Sequence, residues 1–344
     1  MPSRRALVAA ALAGLARPAR AVPVAEWDAF KARFLHPDGR VVDTGNGGVS
    51  HTEGQGWGLL FAVAFDDPAA FQAILVWTAD TLRRSRDALH AWRYVPGEAN
   101  PVPDVNNATD GDLFIAMALF RAARRWSRPA YAAKAQAIAH DVLRLLVRRA
   151  SPRTLLLPGV QGFETRDAFV VNPSYYVFPA LQELAAHTRD PLWMTVQSDG
   201  LALMRDGRFG RWMLPPDWLQ VSRTSGTLEP ANGWPPRFSY DAIRVPLYLS
   251  WAGRTPMSVD EAFRAYWAQQ LPDPPAWVDL VTGEVAPYAA PPGMRAVGEF
   301  SLAPIAVPDV PPSFPSAATA PDYYSAALIL LARIAWQESH RSKS

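Results

Sequence analysis

The chain of 344 residues contains no cysteine. Disulfides and thiolate metal sites are therefore excluded, and stability must come from core packing alone. Charge is also scarce, at 19% of residues against 49% hydrophobic, which is the composition of a globular chain and not of a disordered one. The six histidines are scattered without metal-ligand spacing, so neither a metal nor another cofactor is expected. No basic stripe runs along the sequence, and nucleic acid is not expected as a partner. The apolar run from Ala6 to Ala16 is too short to cross a membrane as a helix, and no other candidate span follows it.

Tryptophan, by contrast, is abundant at 13 residues. Indole rings are large and stack on flat apolar ligand faces, so a chain this rich in them is expected to display some in a binding groove. Residues 1–21 have a secretory pattern: basic Arg4 and Arg5, the apolar run, then Ala19-Arg20-Ala21 as a small-x-small cleavage site. Ser3-Arg4-Arg5 also permits twin-arginine export. Removing this stretch lowers Lys plus Arg from 34 to 30 against 32 acids, so a net charge of +2 becomes −2. The mature chain, 22–344, is expected to be soluble, in the periplasm or secreted.

Apolar residues at helical spacing predict helices over 24–34, from Thr52 onward, 68–86, 110–126, 130–149, 173–188, 191–205, 241–251, from Ser258, and 322–338. Thr52 with Gln55 and Thr109 with Asp112 fit capping boxes. Gly54, Gly56 and Gly58 cost about 1 kcal/mol each in a helix relative to Ala, and are read as room for a neighbouring helix or a bulky ligand. Prolines are dense from Leu271 to Pro321, where loop is expected with one short helix near 297–302. Ten or eleven helices, no convincing strand and no linker between two cores predict a single all-α domain.

Glu53, Asp110 and Asp241 each fall at the predicted start of a helix. If alternate helices run the same way, these acids converge at one end of the molecule. Two carboxylates beside aromatic loops are what glycoside hydrolysis needs: one to protonate the leaving oxygen, one to activate water, and flat surfaces for the sugars. A helix N-terminus favours the ionised carboxylate whereas a proton donor must stay protonated, so burial and a like charge from Asp110 must outweigh the dipole at Glu53. Trp92, in a loop, is the best sugar platform. Trp57 and Trp77 read equally well as core, and Trp212, Trp218 and Trp234 either extend the cleft or pin a long loop.

Four segments in order carry a specific resemblance. Thr52-Glu53-Gly54-Gln55-Gly56-Trp57-Gly58, Ala108-Thr109-Asp110-Gly111-Asp112, Asn172-Pro173-Ser174-Tyr175 and Tyr240-Asp241-Ala242-Ile243-Arg244-Val245-Pro246 together resemble glycoside hydrolase family 8, over most of the chain to Asp322-Tyr323-Tyr324. The resemblance implies an (α/α)6 barrel with a cleft across helix N-termini that cuts β-1,4-linked glycans with inversion. By that likeness Glu53 is the proton donor and Asp241 the base, roughly 6.5 to 9.5 Å apart as inversion requires. Asp110 would hold the distorted sugar, Tyr175 the water, and Arg244 would orient the base. Trp92 would stack on sugar, and Tyr240 and Tyr324 would line the cleft. The implied partner is a β-1,4-linked polysaccharide, with a bacterial cellulose synthase complex as a further one. An endo-1,4-β-glucanase is the reading these features favour. The alternatives are a xylanase or chitosanase of the same family, or a non-catalytic glycan-binding protein of a polysaccharide export complex.

Overall fold

The computed structural model describes residues 22–270, 273–303 and 312–341. The expected export signal, residues 1–21, lies outside the described residues, as does part of the proline-dense stretch. Eleven α-helices are present among the described residues: α1 (Val24–Phe34), α2 (Thr52–Ala64), α3 (Pro68–Thr81), α4 (Thr109–Arg125), α5 (Pro129–Leu146), α6 (Phe178–Thr188), α7 (Leu192–Asp206), α8 (Arg244–Trp251), α9 (Met257–Gln270), α10 (Pro292–Leu302) and α11 (Tyr323–Arg341).

Helices α2, α4, α6, α8, α10 and α11 each pack on the next, and α11 returns to α2, so they close a ring. Outside it, α3 packs on α2, α5 on α4, α7 on α6, α9 on α10 and α1 on α11. This is the all-α, (α/α)6 barrel. The two layers follow from the apolar pattern. A helix enclosed on every side must be apolar or small all round its circumference, whereas one with a wet face needs only a stripe. Ala326 to Ala332 of α11 are all fully buried. In α5 burial is confined to Ala135, Ile138, Ala139, Asp141, Val142 and Leu146, a stripe at three- and four-residue spacing.

The glycines of α2 make room for helices, not for a ligand. A Cβ on Gly56 would lie 2.7 Å from the Phe114 Cβ of α4, and one on Gly58 would lie 3.1 Å from Ile74 of α3 and 2.9 Å from Val41 in the segment between α1 and α2. From the facing side, a Cβ on Gly111 would lie 2.5 Å from the Thr52 Cβ and 2.6 Å from its carbonyl carbon. Helices α2 and α4 are thus held at backbone contact beside the two residues, Glu53 and Asp110, that the fold brings to one end. Gly111→Ala should force them apart at a cost of about 1–3 kcal/mol. A lowered melting temperature checks this; an unchanged one would mean the contact has slack.

Two expectations are corrected. The chain is not strand-free: nine short strands occur among the described residues, including a three-stranded antiparallel sheet in which Leu219–Ser222 lies between Ala168–Val171 and Leu228–Pro230. None exceeds four residues, too few for alternation to show in sequence. Helix bounds also shift. The helix expected over 173–188 is a 3-10 turn, Pro173–Tyr175, followed by α6, because Pro179 has no N–H to continue an unbroken helix. The one expected to 149 stops at Leu146, and Val147–Ala150 pairs with Arg153–Leu156 instead. The helix expected to reach Arg86 stops at Thr81, and the short helix near 297–302 starts earlier, at Pro292.

Candidate active site

The inner helices point their N-termini at one end of the barrel. There a cleft of about 590 Å³ is lined by Glu53 from α2, Asp110 from α4, Tyr175 ahead of α6, Asp241 and Arg244 at α8, Pro291 at α10, and Tyr324 from α11. Trp92 and Tyr240 also line it. All eight candidate site residues therefore meet in one place. The parallel helix dipoles give this end a partial positive charge, which offsets part of the cost of placing several acids there.

The starts of α2 and α4 are secured differently from the capping boxes expected. The cap of α2 is His51, whose Nδ1 accepts from the Gly54 N–H at 3.1 Å. Gln55 turns inward, where its Oε1 accepts from the Val41 N–H at 2.6 Å and its Nε2 donates to Thr78 at 2.9 Å. Thr109 is itself helical, and its hydroxyl donates to the Leu157 carbonyl at 2.6 Å. Asp112 accepts from the His90 N–H at 3.1 Å and from Asn107 Nδ2 at 3.1 Å, with His90 Nδ1 at 2.8 Å. It anchors the loop that carries Trp92. That loop is hooked back to α2 by a Thr52 N–H to Trp92 carbonyl bond of 3.0 Å and by pairing of Ser50–His51 with Arg93–Tyr94. Trp92 is set by an indole N–H bond of 2.8 Å to Asp104.

Asp241 is not in a helix, contrary to expectation. It sits in the turn before α8, whose first residue is Arg244. Asp217 holds this turn: its Oδ1 accepts from the N–H groups of Ser239 at 3.1 Å and Ala242 at 2.7 Å. Sequence reasoning missed Asp217, which lies in an irregular stretch with no local pattern to single it out.

Arg244 is the hub. Its side chain is 3% exposed and one guanidinium meets all three acids: Glu53 directly, Asp110 at 3.4 Å, and Asp241 through Nη2. Nη2 also donates to the Ser174 hydroxyl at 2.9 Å. Its planar fork can satisfy carboxylates on several edges at once, which a lysine could not.

One buried cation among several acids leaves a surplus of negative charge, and desolvation amplifies it. Burial pushes the Asp110 carboxyl up to about 7, with Asp112 adding to the rise while the Gly111 N–H bond of 2.8 Å and His51 oppose it. Burial, then the charges of Asp217 and Asp110, push Asp241 well above the usual carboxylate range, although its side chain keeps 31% of its surface open. The amide of Asn172 and the indole of Trp218 act the other way on it. Burial lifts Asp217 to about 6. Groups whose titration is displaced this far, gathered in a cleft, mark a reactive site.

The aromatics divide. Trp57 is fully buried against Phe114 and Tyr323, Trp77 packs edge-on against Tyr94, and Trp212 packs edge-on against Tyr266, so these build the core and pin loops. Trp218 is stacked between Phe163, at 5.7 Å, and Trp234, at 5.1 Å, and stands 6.1 Å from Tyr175. It forms a wall beside Asp241. The Tyr324 hydroxyl donates to the Tyr240 carbonyl, and their rings lie 6.1 Å apart. Among the described residues no helix is long and apolar enough to cross a membrane.

An all-helical barrel whose cleft brings three carboxylates to one guanidinium between aromatic walls defines a hydrolase of glycans. The model of glycosyl hydrolases family 8 matches residues 1–338, and the chain belongs to that family. It is 49% identical to a probable endoglucanase of Novacetimonas hansenii, over 97% of this chain and 96% of that protein. It is 45% identical to an endoglucanase of Cellulomonas uda, over 80% of this chain and 77% of that one. The solved endo-beta-1,4-glucanase CMCax from Acetobacter xylinum superposes with a TM-score of 0.87 at 50% identity, covering 92% of this chain and 98% of that one. The chain is accordingly a glycoside hydrolase.

Proposed function

We propose that this protein is an endo-1,4-β-glucanase that cleaves β-1,4-glucan with inversion. The observation that carries the reading is the meeting of Glu53, Asp110 and Asp241 on Arg244 at the cleft floor. Endoglucanase relatives, among them one 49% identical over nearly the whole chain and a solved endo-beta-1,4-glucanase at 50% identity, support the substrate. In this reading Glu53 protonates the leaving glycosidic oxygen. Asp241, whose carboxylate accepts from Arg244 Nη2, takes a proton from water on the opposite face of the sugar, and Tyr175 steadies that water. Asp110 hydrogen-bonds the distorted sugar at the cut site, and Trp92, Tyr240 and Tyr324 carry the flanking sugars. Residues 1–21 act as an export signal, 22–344 form the catalytic domain, and the enzyme works in the periplasm or outside the cell beside a cellulose synthase complex. The secretory pattern of residues 1–21 supports the placement outside the cytoplasm.

A second reading, activity on chitosan, draws on Asp43 and Asp322, which add two acids to the cleft lining. Both are engaged locally: Asp43 accepts from the Gly45 N–H at 3.0 Å and Asp322 from the Ser325 N–H at 2.7 Å. That leaves β-glucan the better-supported substrate. Proton NMR of cellohexaose digestion tests the proposal. The α-anomer should appear before mutarotation. An initial β-anomer would overturn inversion and make Asp110 a covalent nucleophile, and cleavage of chitosan but not cellohexaose would favour the second reading.

A further inference from the structure

The turn bearing Asp241 has no helix to stiffen it, yet a general base must be held to a fraction of an ångström. Its support comes from a segment more than twenty residues earlier. Asp217 Oδ1 accepts the N–H groups of Ser239 at 3.1 Å and Ala242 at 2.7 Å, which bracket Tyr240 and Asp241. The Asp217 N–H in turn donates to the Arg237 carbonyl at 2.7 Å, so three hydrogen bonds clamp residues 237–242 to this one residue. The Asp241 N–H and the Ser239 hydroxyl also bear on its carboxylate. The next residue, Trp218, is the aromatic wall beside Asp241.

We infer that Asp217 is a positioning residue for Asp241, fixing the turn through its two backbone acceptor bonds and placing a second carboxylate beside the base. The inference rests on the assignment of Asp241 as the base. An asparagine keeps an acceptor oxygen for the same two N–H groups and removes the charge. Asp241 is faced by Arg244 on α8, Asp110 on α4, Tyr324 on α11, and Tyr175, Asn172 and Trp218 from the segments between. Asp217, from the segment before the turn, and Asp110 are the like charges that resist its ionisation, and two such carboxyls titrate as a pair.

The test compares pH profiles of kcat/KM on cellohexaose for the wild type, Asp217→Asn, Asp217→Ala and Asp241→Asn. Asp217→Asn keeps an acceptor oxygen for both N–H groups, so KM should hold and the melting temperature should match the wild type near pH 4 without falling below it at higher pH, while the acidic limb moves down by about one pH unit. Asp217→Ala frees the turn, and kcat should fall by about 10²-fold with KM little changed. Should that variant fail to fold, the asparagine profile still decides. A profile for Asp217→Asn that superimposes on the wild type would overturn the inference. Turnover retained in Asp241→Asn would instead sink the assignment of the base, whereas a dead Asp241→Asn with an unshifted Asp217→Asn would sink only the role of Asp217.

Discussion

Glu53→Gln is expected to lower kcat on cellohexaose by about 10³-fold while leaving KM and the melting temperature close to wild type. The glutamine side chain has the same length and shape, and its amide oxygen can still accept from Arg244, so the start of α2 and the guanidinium stay in place. What is lost is the transferable proton. Without it the leaving sugar departs as an alkoxide, and the barrier rises by the full value of general-acid assistance. A raised KM with unchanged kcat would place Glu53 in binding only. Turnover at wild-type rate would show that another group protonates the leaving oxygen. The 14% exposure of the Glu53 side chain, against near-complete burial of Asp110, accords with the proposed division of roles. A donor must reach a bond that passes over the floor, and a supporting acid need only touch the ring from beneath.

Asp110→Asn should separate stability from activity. In the folded protein the Asp110 carboxyl titrates at about 7, against 3.8 for the ordinary group. Between these values the folded chain holds a proton that the unfolded chain has released, so stability falls as pH rises, by about 1.4 kcal/mol per unit and on the order of 4 kcal/mol in all. Below pH 4 both states are protonated and the penalty vanishes; above about 7 it is complete. Asparagine cannot ionise. The variant should therefore match the wild type in melting temperature near pH 4 and exceed it at pH 8, while kcat falls by at least about 10²-fold for want of the contact to the distorted sugar. Melting curves at the two pH values decide the matter. Parallel curves would mean that Arg244 and His51 already neutralise Asp110 in the fold.

Such a stability cost is retained where function requires it. The cleft floor gathers several acids around one arginine; burial displaces the titration of Asp110, Asp217 and Asp241, and neighbouring acids add to the rise at Asp110 and Asp241. The ring of helix N-termini makes this tolerable. It supplies partial positive charge and unpaired N–H groups where the acids sit, and the Gly111 N–H on Asp110 is one of them.

The sequence by itself determined the helices and the class of fold, because apolar spacing at 3.6 residues is a local property and each inner helix is long enough to display it. It also determined which residues gather at the cleft, since Glu53, Asp110, Tyr175, Asp241 and Arg244 lie in segments whose order and wording mark the family. Only the tertiary structure decided what each of them touches. Thr109 reads as a cap from its neighbours, yet its hydroxyl goes to Leu157, 48 residues away. Arg244 is, by the family resemblance, the residue that orients Asp241, yet it also reaches Asp110, 134 residues away, and Glu53. Asp217 carries no local signal at all, and its importance comes from the turn folded against it. A side chain chooses its hydrogen-bond partner from whatever burial brings within about 3 Å. Closure of the ring brings together groups that the linear sequence keeps apart.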